Sequence, residues 1–218
     1  MNISENIKAL RAELPESITL VAVSKTKPVE DIMQAYNAGH RVFGENKIQE
    51  MAAKWEEMPA DVQWHMIGHV QRNKVKYMAE FVSLIHAVDS FKLLTEINKQ
   101  GAKHDRIINC LLQIKIAEED SKFGMEEGSA KELLASEEYE QLHNVRVIGL
   151  MGMATFTDDM EQVRQEFRRL KHLYEELKAP YSLTELSMGM SGDYKIALEE
   201  GSTMIRVGSA IFGERNYG

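Results

Sequence analysis

Apolar residues recur along this chain in two alternating rhythms, one of helical period and one of short β-branched runs. Ile3, Ile7, Leu10 and Leu14 fall on one helix face, and Pro15 ends that helix. Residues 18–23 are an apolar run of strand length, followed by Lys25. Pro28 then opens a second helix, carried by Val29, Ile32, Met33 and Tyr36 and stopped by Gly39. Residues 40–43 form a short second strand. Asn46 is placed to cap the next helix with Gln49 as its capping-box partner, and Pro59 closes that helix. Residues 62–67 predict a third strand, 69–79 a helix and 81–88 a fourth strand, with Asp89 or Ser90 capping the helix after it. Residues 106–116 predict a fifth strand, 125–135 a helix and 145–151 a sixth strand. Residues 157–177 make a long amphipathic helix with Val163, Phe167, Leu170, Leu173, Tyr174 and Leu177 on one side. A seventh strand at 181–186, a helix at 191–200 stopped by Gly201, an eighth strand at 203–207 and a last helical turn complete the chain.

Strand and helix thus alternate eight times, with no composition shift, low-complexity tract or linker between them. That alternation implies βαβ units and a parallel sheet. The expected fold is α/β: residues 1–218 as one domain, a (β/α)8 TIM-type barrel with an extra N-terminal helix. Units of about 27 residues are short but adequate for a barrel of the ~250-residue class. An open doubly wound sheet is the alternative; against it, the first strand–helix junction lacks the glycine fingerprint of a dinucleotide site.

Composition narrows the partners. The 218 residues are 44% hydrophobic and 28% charged, as a globular core requires. A formal net charge of -8 argues against a nucleic-acid partner, which would need a basic face. A local anion site stays open, because it depends on a few oriented groups. Cys110 is the single cysteine, so no disulfide can form within the chain and a cytoplasmic location fits. Its apolar setting, residues 107–112, makes it a buried strand residue rather than a nucleophile. No signal-peptide pattern precedes the first helix, and no apolar run approaches the ~20 residues of a membrane span.

Candidate chemistry gathers at the strand ends. Lys25 follows the first strand at the end that is the active face of a parallel barrel. It is either a solvated lysine or a desolvated one, whose lowered pKa suits its amine to form a Schiff base with an aldehyde. Ser187-Met188-Gly189-Met190-Ser191-Gly192-Asp193 and Ile205-Arg206-Val207-Gly208-Ser209-Ala210 follow strands seven and eight, where barrels commonly hold a phosphate. Glycines admit the anion to the backbone, and hydroxyls and free N–H groups donate to it. The plainer reading is two turns with ordinary caps, Ser191 serving as an N-cap. Arg206 alternates with Ile205 and Val207 and so points into the barrel mouth, toward a phosphate, a ring nitrogen or a carboxylate such as Glu185.

His65 is a core histidine or a site residue. Met151, Met153, Met188 and Met190 are core filler or pocket lining. No metal site is expected, because Gly68 breaks the helix between His65 and His69. No nucleophile elbow or P-loop occurs. An amine, a phosphate cradle and an inward arginine together fit an aldehyde that bears a phosphate and a ring nitrogen, which is pyridoxal 5'-phosphate.

Val21-Ala22-Val23-Ser24-Lys25, Phe43-Gly44-Glu45-Asn46 with Gln49, and Trp64-His65-Met66-Ile67-Gly68 with Gln71, Asn73 and Lys74 carry a resemblance. Ser187-Met188-Gly189-Met190-Ser191 with Asp193, and Arg206-Val207-Gly208 with Ile211-Phe212-Gly213, complete it. Over essentially its whole length the chain resembles the YggS/PROSC family of pyridoxal phosphate homeostasis proteins. Val70, where leucine is usual in that family, is a mild departure. The resemblance implies a fold type III barrel similar to the N-terminal domain of alanine racemase, with the cofactor carried on Lys25 as a Schiff base. It implies that Ser191 and the Gly208 and Ser209 amides hold the phosphate and that Arg206 faces the pyridine nitrogen. Asn46, His65, Met151 and Ser187 would line the cofactor. No catalytic residue is assigned.

Two functions are open. One is a non-catalytic carrier that buffers pyridoxal phosphate, passes it transiently to apo-enzymes and so influences amino-acid and keto-acid balance; a monomer is expected. The other is an amino-acid racemase. Racemisation needs a base on each face of the carbanion, and the resembled racemases take the second, a tyrosine, from a further domain. That domain is expected to be absent, because the sequence ends at Gly218. A guanidinium at the ring nitrogen also disfavours ring protonation and weakens the electron sink. The carrier is the expected function.

Overall fold

Each apolar run pairs with the next, and the last returns to the first. The computed structural model describes residues 2–119 and 123–213. In it β1 (Thr19–Val23), β2 (Val42–Glu45), β3 (Gln63–Met66), β4 (Leu84–Val88), β5 (Ile108–Gln113), β6 (Val145–Met151), β7 (Glu185–Met190) and β8 (Met204–Val207) form a closed barrel in chain order. Every pairing is parallel, and β8 closes on β1 with Thr19 opposite Met204 and Ala22 opposite Val207. The helices are α1 (Ile3–Glu13), α2 (Val29–Asn37), α3 (Ile48–Glu57), α4 (Phe91–Lys103), α5 (Glu127–Leu134), α6 (Glu137–Glu140), α7 (Met160–Tyr181), α8 (Tyr194–Glu199) and α9 (Ser209–Phe212). Among the described residues no helix is long and apolar enough to cross a membrane.

Strand alternation sorts the side chains into two cores. Ala22, Phe43, Trp64, Ile85, Leu112 and Ile205 face the helices. Val21, Leu84, Ala87, Leu111, Met151 and Met204 fill the barrel floor. The apolar stripe of α7 is buried at Val163, Phe167, Leu170, Leu173, Tyr174 and Leu177, and Asp159 caps the helix by accepting from Glu161 and Gln162 N–H. The extra helix α1 is tied to the far end of the chain, since Asn6 donates to the Ile211 carbonyl at 3.0 Å.

Several boundaries differ from the sequence expectation. Asn46 does not cap α3: Lys47 occupies the N-cap position, and no side chain bonds there. Residues 69–79 are not an α-helix but contain a 3-10 helix, Arg72–Tyr77. The helix α6 is additional to the expected elements; Ser136 caps it by accepting from Tyr139 N–H. The seventh strand begins at Glu185 instead of residue 181, because α7 runs on through Pro180 and ends at Ser182 with φ 54°. Pro180 has no N–H to donate to the carbonyl four residues before it, so the last turn lacks that one bond. Ser187 is therefore inside a strand. Ser191 does not cap α8, which begins at Tyr194 with Asp193 in the cap position.

Candidate cofactor site

A cavity of about 580 Å³ opens at the C-terminal ends of the strands, within the usual size of a small-ligand site. Of the candidate residues, Lys25, Asn46, Ser191, Arg206, Gly208 and Ser209 line it. His65, Met151 and Ser187 are not among its lining residues. Met151 belongs to the apolar floor, and His65 and Ser187 form a polar layer inside the barrel. Met153 and Met190 reach the cavity, whereas Met188 packs in the outer core.

Lys25 enters the cavity from a tight turn. Ser24, at the end of β1, is fully buried and Lys25 is half-buried. Lys27 N–H donates back to the Ser24 carbonyl at 3.0 Å. Thr26 completes the turn in the left-handed region, φ 65°, an uncommon conformation for a β-branched residue. Opposite, Gly68 passes so close to the Asn46 backbone that a Cβ would lie 2.3 Å from the Asn46 carbonyl oxygen. Only glycine lets the β2 and β3 loops meet there.

Gly208 N–H, after β8, donates to Ser191 Oγ, after β7, at 3.2 Å and so links the two loops. Gly189, with φ 102°, lies within β7 just before the first of these loops, and a Cβ there would stand 2.6 Å from Ala197 Cβ. The second loop leads into α9, whose first amides have no intrahelical acceptor. The Asp193 carboxylate accepts from Met190 N–H at 2.6 Å, which holds the β7 loop closed. The cavity is lined at this end by Met190, Ser191, Gly192, Asp193, Gly208 and Ser209.

Arg206 is buried, and its partner is not Glu185, which instead accepts from the Thr203 hydroxyl. Its guanidinium donates to the Ser187 carbonyl at 3.1 Å, to Ser187 Oγ at 2.5 Å and to the Gly152 carbonyl at 3.1 Å. Ser187 Oγ lies 3.0 Å from His86 Nδ1, and His86 Nε2 lies 3.0 Å from His65 Nδ1. Because a guanidinium only donates, the serine accepts from it and passes its own hydrogen to His86. His86 then donates to His65, and both rings are neutral. Burial favours the same state: it pushes His65 down to about 3 and His86 well below the ordinary histidine value of 6.5. It also lowers Arg206 to about 10, which leaves the guanidinium charged at neutral pH.

Sequence reasoning misses His86. Its signal is present: a single polar residue inside the apolar run Leu84-Ile85-His86-Ala87-Val88. Phe123 and Phe156 at the cavity are missed too. Phe123 stacks on His69, with ring centroids 4.4 Å apart, and its carbonyl accepts from the Gln113 amide at 3.1 Å. Cys110 is buried outside the barrel wall, where burial raises its thiol above the ordinary range.

Residues 1–216 match the family model of the alanine racemase N-terminal domain. The pyridoxal phosphate homeostasis protein of Aquifex aeolicus is 43% identical over 202 residues, covering 91% of this chain and 87% of the relative. PipY of Synechococcus elongatus, solved with PLP bound, is 36% identical with a TM-score of 0.88, covering 97% of this chain and 100% of that one. An alanine racemase from Clostridium difficile, 12% identical with a TM-score of 0.79, covers 99% of this chain and 57% of its own, a likeness of fold alone. This chain belongs to the alanine racemase N-terminal domain family and, within it, to the pyridoxal phosphate homeostasis proteins.

Proposed function

We propose that this protein binds pyridoxal 5'-phosphate in the cavity at the barrel mouth and serves the buffering and supply of that cofactor. One observation carries the reading: an amine, Lys25, and a set of hydroxyl and backbone donors, Ser191, Gly208 and Ser209, face one cavity that also holds a buried guanidinium. Held there by Ser191 and the amides after β8, pyridoxal phosphate would supply an aldehyde within reach of the Lys25 amine, the group suited to join it covalently with loss of one water.

Each residue has a part that its chemistry supports. Lys25 provides the amine. Ser191 Oγ, together with the amides that open α9, suits a dianionic phosphate. Arg206 is a fixed donor and suits a pyridine nitrogen that stays unprotonated. Asn46 flanks the ring. Ser187, His86 and His65 act through Arg206, and Met151, opposite Ser187 on β6, packs in the barrel interior beside them. The name shared by the curated relatives and the PLP-bound PipY structure support this reading. Residues 1–218 would act as one cofactor-binding unit, monomeric and cytoplasmic, handing cofactor transiently to apo-enzymes.

Arg206 does not by itself separate this reading from a racemase: a permanent cation at the ring nitrogen opposes ring protonation and weakens the electron sink, but the resembled racemases tolerate it with the help of a second base. The test is spectroscopic and chemical. Protein mixed with pyridoxal phosphate should develop an absorption band of covalent attachment, and borohydride followed by peptide mass analysis should find the cofactor on the Lys25 peptide. Lys25→Ala should lose the band. Modification of another lysine would refute the assignment, and α-proton exchange of amino acids at turnover-like rates would favour the racemase.

A further inference from the structure

Behind the β1 wall lies a buried charge cluster that the cofactor site does not touch. Lys54 of α3 has a side chain 8% exposed, and that of Glu45 on β2 is fully buried. Lys54 Nζ donates to Glu45 Oε1 at 2.7 Å, to Glu50 Oε1 at 2.7 Å and to the Ser24 carbonyl at 2.8 Å. Those three bonds use all three ammonium hydrogens. Ser24 Oγ donates to the same Glu45 oxygen at 2.6 Å, and Thr26 N–H donates to Glu50 Oε1 at 2.6 Å.

The targets on β1 have a pattern. The Ser24 carbonyl belongs to the peptide group before Lys25, and the Thr26 N–H to the peptide group after it. Charged groups of α3 thus hold both peptide planes that set the backbone angles of Lys25. The turn needs holding, because Thr26 adopts φ 65° and would relax if released. The cluster is also costly. Burial pushes the Glu45 carboxyl up against the pull of Lys54, and Glu45 Oε2 is buried with no hydrogen-bond partner. A pair serving only to join α3 to β2 would be replaced by apolar side chains at little loss.

We propose that Lys54, with Glu50, is a positioning residue that aims the Lys25 amine into the cavity by clamping the peptide groups on either side of it. The inference rests on the cofactor reading above. Its physical content is that a misplacement of about 1 Å at a reacting atom costs on the order of a hundredfold in rate.

The experiment uses the whole chain and separates aiming from binding. Stopped-flow absorbance after mixing with pyridoxal phosphate gives the rate of attachment at Lys25. Calorimetry with pyridoxine 5'-phosphate, which lacks the aldehyde, gives the affinity of the cavity without the covalent bond. Lys54→Met and Glu50→Ala should each slow attachment by about tenfold or more while pyridoxine phosphate affinity changes by less than about threefold. Glu50→Gln, which keeps an acceptor for Thr26 N–H, should recover most of the rate. If Lys54→Met fails to fold, Glu50→Ala decides, because it leaves the Lys54–Glu45 pair in place. Attachment by Glu50→Ala at the wild-type rate would overturn the inference, as would a loss of pyridoxine phosphate affinity by the same factor as the rate. Failure of the wild type itself to form the attachment would instead overturn the cofactor reading, and this inference with it.

Discussion

Two buried cations flank the candidate site, and they are held in opposite ways. Arg206, inside the barrel, is 3% exposed and bonds two carbonyls and a hydroxyl, all of them neutral. Lys54, outside the β1 wall, is 6% exposed and bonds two carboxylates. A cation paired with carboxylates has its field cancelled locally, so Lys54 acts through hydrogen bonds at short range. A cation solvated by neutral dipoles keeps its charge toward whatever else faces it. Arg206 lines the cavity together with the Asp193 carboxylate, whose charge acts on it from a distance. The difference separates a residue that shapes the site from one that touches its contents.

The largest expected effect is acid destabilisation of the interior layer. Burial holds His65 at about 3 and His86 well below the ordinary 6.5, and outside the barrel, just before β2, it holds His40 at about 4. The unfolded chain therefore binds more protons than the folded one below pH 6.5. Each histidine contributes its full stability above that pH and loses it as pH falls toward its folded value. Urea unfolding should show stability dropping by about 1.4 kcal/mol per pH unit for each histidine that stays neutral in the fold. A flat profile from pH 6.5 to 4 would mean that these rings are protonated in the folded state.

Next in size is Lys54→Met, which strands the buried Glu45 carboxylate and should cost about 3–5 kcal/mol in urea unfolding. Adding Glu45→Gln should return part of that loss. Arg206→Met, which strands only neutral acceptors, should cost less, about 1–3 kcal/mol, yet it should weaken pyridoxine phosphate binding, as Lys54→Met should not. Equal effects of the two on affinity would erase the distinction between them. The smallest is Ser187→Ala, about 1–2 kcal/mol from one orphaned acceptor on His86. Arg206 keeps its two carbonyl partners there, so calorimetry should find pyridoxine phosphate affinity little changed.

The barrel is legible because alternation of strand and helix is a property of the whole chain and survives local errors. The sixth strand matches its expected bounds at 145–151, whereas the seventh begins four residues later than expected because α7 runs on to Tyr181. That Lys25, Asn46, Ser191, Arg206, Gly208 and Ser209 gather at one cavity is legible because each lies at or near a strand's C-terminal end, where a parallel barrel opens. His86 is not, because its role depends on partners 21 and 101 positions away, which only the closed barrel brings within reach. The Lys54 clamp escapes for the same reason: a lysine and a glutamate at i and i+4 look like a solvated helix face until β1 and β2 are packed against them.

The central claim is that one ligand spans the amine of β1 and the donors after β7 and β8. A crystal structure of the protein grown with pyridoxal phosphate tests it most directly. We predict continuous density from Lys25 Nζ to the cofactor, with phosphate oxygens within hydrogen-bond reach of Ser191 and Ser209. Cofactor bonded to a different lysine, or a phosphate held away from both serines, would contradict the account.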